Sequence, residues 1–153
     1  MRLGEREAYS YRGDATVPAF EGGGPVVFMD GDCALCTRSA RTIAKLDRVG
    51  EFRVCPIQSA LGRGMLKHYG LDPDDPESWL YLADGKAYTS LDAVIRVGQR
   101  LGGWGRTLRI LRILPRRAQD WLYRRIARNR YRLFGRTHMC DLPDRDLRRQ
   151  LLS

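Results

Sequence analysis

Apolar positions along the chain gather into short runs whose spacing changes at Gly, Pro and Asp. The first run, Val26-Val27-Phe28-Met29, is unbroken, rich in β-branched residues and bounded by Pro25 and Asp30, the pattern of a strand buried on both faces. From Cys33 onward Ala40, Ile43, Ala44 and Leu46 recur at helical intervals with Arg38, Arg41, Lys45 and Arg48 interleaved, and Gly50 offers a stop. A helix of about four turns is therefore predicted after the strand. Phe52-Arg53-Val54-Cys55, closed by Pro56, reads as a second strand, and Leu61 to Tyr69 as a short helix ending at Gly70. Leu71 to Ser78, with Asp72, Pro73, Asp74, Asp75 and Pro76, is a loop.

Trp79-Leu80-Tyr81-Leu82 and Ala87-Tyr88-Thr89 flank Asp84-Gly85, a pair that supplies the positive-φ positions of a tight hairpin turn. Ser90 is placed to cap a helix carrying Leu91, Val94, Ile95, Gly98 and Leu101, with Gly102-Gly103 at its end. The expected order is β-α-β-α-β-β-α, an α/β layout of thioredoxin-like type over residues 25–102. Two further helical stretches, Trp104 to Leu114 and Arg116 to Phe134, are separated by Pro115. They make 103–153 an Arg-rich helical addition packed on the core. Residues 1–24 show no sustained period and read as a flexible N-terminal extension.

The 153 residues allow one ordinary domain. No window approaches the roughly 18 apolar residues of a membrane span, and Met1 to Glu7 lacks a signal-peptide core. A cytoplasmic setting is the expectation. The formal charge of +9 is unevenly spread: residues 1–90 hold 11 Lys+Arg against 13 Asp+Glu, and residues 91–153 hold 16 against 5. Almost all of the excess is arginine, suited to phosphate or carboxylate contacts.

Four cysteines are too few for a disulfide scaffold, so spacing carries the information. Cys33 and Cys36 form a Cys-x-x-Cys pair at the junction of the first strand and helix, whereas Cys55 lies within an apolar strand and reads as a core residue. A helix N-terminus favours a thiolate, so Cys33, at the expected first helical position, is the better placed nucleophile. Cys36, one turn on and nearer the interior, would resolve the mixed disulfide. Asp32 is placed to cap the helix, and Asp30 ends the buried strand beneath the pair, a candidate catalytic or site-shaping carboxylate. No cofactor or metal is expected. Cys33, Cys36, His138 and Cys140 would make a tetrahedral zinc set, but His138-Met139-Cys140 is not a standard metal knuckle. His68 reads as a surface residue near a helix end.

Asp30-Gly31-Asp32-Cys33-Ala34-Leu35-Cys36 resembles the signature of the DCC family, bacterial proteins classed as thiol-disulfide oxidoreductases of thioredoxin-like fold. The likeness extends to Ser90-Leu91-Asp92-Ala93 and to Ala127 through Gly135, followed by Cys140 and Pro143. It implies dithiol/disulfide exchange with a thiol or disulfide substrate, a protein being the expected partner. Two departures from thioredoxins stand out. The dipeptide Ala34-Leu35 is neither Gly-Pro nor Pro-His, and only Pro76 is a candidate for the cis-proline before the third strand.

Two other function classes compete. An apolar strand followed by Asp30-Gly31-Asp32 resembles the first motif of haloacid-dehalogenase-type phosphatases, with Asp30 as nucleophile, Asp32 as acid and Mg²⁺ as cofactor, although Cys33-Ala34 break the motif and no later strand ends in paired acids. A non-catalytic nucleic-acid or anionic-membrane binder could be built on the basic C-terminal helices. A helical projection with Trp121 as origin gathers Ala118, Leu122, Ile126 and Leu133 into one stripe, with Arg125 and Asn129 inside it. Arg125 is thus expected to pair with an acid near the redox site, Asp30 first and Asp92 second. Arg117, Arg124, Arg128 and Arg132 fall opposite as a solvated face, open to an acidic partner.

Overall fold

A computed structural model of the chain describes residues 3, 6–21, 23–75, 77, 79–141 and 144–152. Four strands, β1 (Val26–Met29), β2 (Arg53–Pro56), β3 (Leu80–Ala83) and β4 (Lys86–Tyr88), form one mixed sheet in the order β2-β1-β3-β4. β1 runs parallel to β2 and antiparallel to β3, which pairs antiparallel with β4. The parallel step needs a crossover, supplied by α1 (Ala34–Leu46). With α2 (Ala60–His68) and α3 (Ser90–Leu101), the arrangement is consistent with a thioredoxin-like core.

β1 is buried on both faces, and its alternate side chains feed two cores. Val26 and Phe28 pack with Leu61, Met65 and Leu66 of α2. Val27 and Met29 pack with Ala40 and Ile43 of α1 and with Ala93 and Val97 of α3. The hairpin turns at Asp84 (φ 52°) and Gly85 (φ 74°), the left-handed pair that Asp-Gly tolerates. The α3 boundary differs from expectation by one residue. Thr89 is the extended N-cap, Ser90 opens the α3 range in the left-handed region at φ +58°, and the Thr89 hydroxyl donates to the Trp79 carbonyl at 2.6 Å.

Within the predicted N-terminal extension, described residues between 10 and 20 pack on the core. Tyr11 and Val17 are buried in the α2-side core, and His68 lies buried between the Ser10 hydroxyl at 2.9 Å and the Asp14 carboxylate at 2.6 Å. His68 is therefore not a surface residue. Hydrogen bonds from Thr16 and from His68 hold the Asp14 carboxyl well below the usual carboxylate range.

Beyond α3 the chain forms a 3-10 helix, Gly103–Ile113, then α4 (Arg116–Phe134) and α5 (Arg145–Gln150). The 3-10 helix can lie directly on α3 because glycines meet there: a Cβ on Gly105 would stand 2.2 Å from the Gly98 carbonyl oxygen. Met139 and Leu147 enter the α1-side core, and the Leu152 amide donates to the Val54 carbonyl at 2.8 Å, on the outer side of β2. Among the described residues no helix is long and apolar enough to cross a membrane.

Candidate active site

β1 ends at Met29, the chain turns through Asp30, Gly31 and Asp32, and α1 begins at Ala34, so the strand-to-helix junction fixes Cys33 as N-cap instead of first helical residue. Its sulfur accepts from the Cys36 amide at 3.4 Å. A cysteine taking the role usually played by Ser or Asp confronts its sulfur with unpaired N–H groups. Cys33 is held down to about 6 by the Cys36 thiol donating to it, with help against burial from the Cys36 amide, the Arg130 charge and the Leu35 amide. Cys36 is pushed far above the ordinary thiol range, because it keeps the shared proton, is partly desolvated and faces the Cys33 thiolate. Neither thiol is oxidised here, so the structure shows the dithiol form.

Accessibility reverses the sequence expectation. Cys33 is fully buried and Cys36 is half-buried. Cys33 is covered by the chain after α4: Arg136 forms an isolated antiparallel bridge with it, the Ala34 amide donates to Gly135 at 3.3 Å, and the Thr137 and Met139 amides donate to Asp32 and Gly31 at 3.0 and 2.7 Å. Cys36 instead borders a cavity of about 530 Å³ walled by Leu35, Ile43, Leu101, Trp104, Leu108 and Ile126.

Asp30 lies beneath the pair, 2% exposed. Its Oδ1 accepts from the Asp32 amide at 2.9 Å and from Gln58 Nε2 at 2.7 Å; its Oδ2 accepts from Arg130 Nη2 at 2.5 Å and from the Tyr131 hydroxyl. Burial pushes this carboxyl up, but the Tyr131, Asp32, Gln58 and Arg130 contacts outweigh it and leave it lowered. Arg130 continues the network, with Nη1 3.9 Å from Cys36 Sγ and its guanidinium over the Tyr131 ring, while buried Nε has no hydrogen-bond partner. The Asp32 carboxylate, unlike its amide, takes no part in this network; its Oδ1 lies 2.9 Å from His138 Nδ1.

The arginine at the site is Arg130, not Arg125. Arg125 is exposed, and Asp92 is taken by Arg96 at 2.8 Å and Arg112 at 3.7 Å. The inward face of α4 is Tyr123, Ala127, Arg130 and Tyr131, about 120° round the helix from the predicted stripe, whose Ile126 and Leu133 are 40% and 64% exposed. Polar anchors explain the rotation. The Tyr123 hydroxyl donates to the Glu77 carbonyl at 3.0 Å, Arg128 Nε donates to the Glu77 carboxylate at 2.5 Å, and Arg130 and Tyr131 reach Asp30. Gln58 was not flagged by sequence either, since nothing in its short loop advertises a carboxylate ligand. Arg130 and Tyr131 did carry a signal, being inside the Ala127–Gly135 block.

The other candidates separate. Cys55 is buried, pushed up to about 11 by burial, and its sulfur lies 3.2 Å from the Ser59 hydroxyl, so it is a core residue. Cys140 is exposed, and among the described residues no three His, Cys, Asp or Glu side chains cluster as metal ligands, so the zinc set is not assembled. Asp30, enclosed and engaged at both oxygens, is not presented to a phosphate ester as a phosphatase nucleophile. Pro76, the cis-proline candidate, and Pro143 lie outside the described residues, and no cis peptide occurs among those described.

The family model described as DCC1-like thiol-disulfide oxidoreductase matches residues 27–136. The chain is 34% identical to the uncharacterized protein YuxK of Bacillus subtilis over 83% of this chain and 93% of the relative. It is 29% identical to a chloroplastic DCC family protein of Arabidopsis thaliana over 77% of this chain and 69% of the relative, so the family is not confined to bacteria. No solved structure matches. The chain belongs to the DCC1-like thiol-disulfide oxidoreductase family.

Proposed function

We propose that this protein oxidises thiol substrates by disulfide exchange, with Cys36 as the sulfur that substrate attacks and Cys33 as the leaving thiolate. The observation that carries this reading is the split between the two thiols: Cys36 borders the cavity, whereas Cys33 is enclosed and holds a thiolate near neutral pH. Exchange runs fastest toward an accessible sulfur with a low-pKa leaving group, and a stabilised thiolate makes the dithiol form favourable, hence the disulfide form oxidising.

Starting from the Cys33–Cys36 disulfide, a substrate thiolate attacks Cys36 Sγ. The S–S bond breaks and its electron pair leaves on Cys33, where the Cys36 amide and the Arg130 charge receive it. A second substrate thiol attacks the substrate sulfur of the mixed disulfide and expels Cys36. Arg130 Nη1, 3.9 Å from that sulfur, stabilises the departing charge until Cys36 takes up a proton. Two substrate thiols become one disulfide, and the protein gains two electrons. Asp30 acts as a positioning residue, holding Arg130 through Oδ2 instead of exchanging protons.

Trapping distinguishes the roles. With a model peptide carrying a single thiol, activated as a mixed disulfide with a chromophoric thiol, Cys33→Ser is expected to attack with Cys36, release the chromophore and keep the peptide in a lasting mixed disulfide. Cys36→Ser is expected to react slowly, since its remaining thiol is enclosed. Fast capture by Cys36→Ser with none by Cys33→Ser would return the attacking role to Cys33.

A further inference from the structure

The segment from Gly103 to Ile113 has three residues per turn, so every third side chain stacks on one ridge. One ridge, Gly105, Leu108 and Leu111, continued by Leu114, is half-buried toward the body of the protein. The second, Trp104, Thr107, Ile110 and Ile113, faces outward, with Trp104 89%, Ile110 68% and Ile113 81% exposed. The Thr107 hydroxyl is turned back onto the Trp104 carbonyl at 2.6 Å, so this ridge offers little polar surface. The third ridge is Gly103, Arg106, Arg109 and Arg112, all exposed. Among the described residues only Arg112 of these arginines reaches an acid, Asp92 at 3.7 Å. Residues 103–134 contain ten arginines and one acid, Asp120.

We infer that this helix lies in the headgroup region of an anionic lipid bilayer, with the Trp104-Ile110-Ile113 ridge toward the acyl chains and the Arg106-Arg109-Arg112 ridge on lipid phosphates. An apolar ridge beside an arginine ridge fits an interface where hydrocarbon and negative charge meet within one helix diameter. A nucleic acid would satisfy the arginines but has no use for two exposed isoleucines, and a second copy of the chain would bring another arginine ridge against the first. Arginine stems reach sideways to phosphates while their neighbours stay in hydrocarbon. Trp104 also walls the cavity beside Cys36, so the membrane face adjoins the exchange site.

The test is co-sedimentation of the full chain with phosphatidylcholine vesicles, pure or carrying about one third phosphatidylglycerol. Binding to the anionic vesicles is expected to be at least about tenfold tighter than to the neutral ones, since each arginine near such a surface contributes about fivefold. Ile110→Ser/Ile113→Ser is expected to lose at least about tenfold on anionic vesicles while binding heparin as before. Arg106→Gln/Arg109→Gln is expected to weaken both. Unchanged urea melts show that the variants fold; if the double serine variant does not, Ile113→Ser alone serves, its side chain being already exposed. Wild-type vesicle binding by a folded isoleucine variant would overturn the inference in favour of a simple polyanion site. Loss of a dimer in sedimentation with vesicle binding unchanged would overturn it in favour of self-association, and failure of the wild-type chain to bind anionic vesicles would overturn it outright.

Discussion

Arg130 and Asp30, 100 positions apart in sequence, form a buried ion pair in which Nη2 donates to Oδ2 at 2.5 Å, and the same guanidinium reaches the Cys36 sulfur with Nη1. One side chain thus ties the end of the first strand, the dithiol helix and the last long helix together.

Removing the arginine strands a buried carboxylate. Arg130→Met is expected to lower stability in urea melts by about 3–5 kcal/mol, whereas Arg125→Met, on the exposed side of α4, should change it by less than about 0.5 kcal/mol. Equal, small losses in both variants would mean that α4 does not dock through this pair.

The Cys33 thiol sets a pH dependence of definite sign. Its folded value lies at about 6, held there first by the Cys36 thiol, below the usual thiol value of about 8.5. The lowered group stabilises the folded dithiol form fully above about pH 8.5, and that contribution is lost as pH falls through about 6. Absorbance at the thiolate band should rise by one thiolate with a midpoint near 6. The midpoint potential of the couple should fall by about 59 mV per pH unit below that point and about 30 mV above it. A single slope across the range would show that neither thiol is ionised at neutral pH.

Gly105 sits where a Cβ would collide with the backbone of Gly98 at 2.2 Å. Gly105→Ala should therefore cost about 1–3 kcal/mol by forcing the 3-10 helix off α3. Amide exchange would show the loosening confined to residues 98–113; unchanged exchange there would contradict the close packing.

Tyr11 tests the N-terminal stretch. Buried against the α2-side core, it should cost about 2–4 kcal/mol on truncation to Ala. A change within about 0.5 kcal/mol would restore the picture of a loose extension.

Strands and the first helices were legible because their apolar runs and glycine stops reflect local geometry: Val26 to Met29 could hardly be anything but a buried strand. The faces of the C-terminal helices were not. The α4 projection weighted Leu122, Ile126 and Leu133, yet the docking face is chosen by Tyr123, Arg130 and Tyr131, whose polar tips satisfy Glu77 and Asp30. Hydrophobicity alone cannot anticipate an interface anchored by a buried charge. The spacing of Arg106, Arg109 and Arg112, and of Leu108, Leu111 and Leu114, has period three, not 3.6, which was the available sign of a 3-10 helix. The Cys33/Cys36 pair was legible as chemistry. The chain over Cys33 was not, because its cover comes from Gly135 to Met139, about a hundred residues away.

The central claim is that Cys33 and Cys36 form one redox couple, and differential alkylation with mass spectrometry across a glutathione series tests it most directly. The expected result is a single two-electron transition linking Cys33 to Cys36, absent in Cys33→Ser and in Cys36→Ser, with Cys55 and Cys140 outside it. If Cys33 and Cys36 stay unpaired under oxidising conditions, or pair with Cys55 or Cys140 instead, the claim is contradicted.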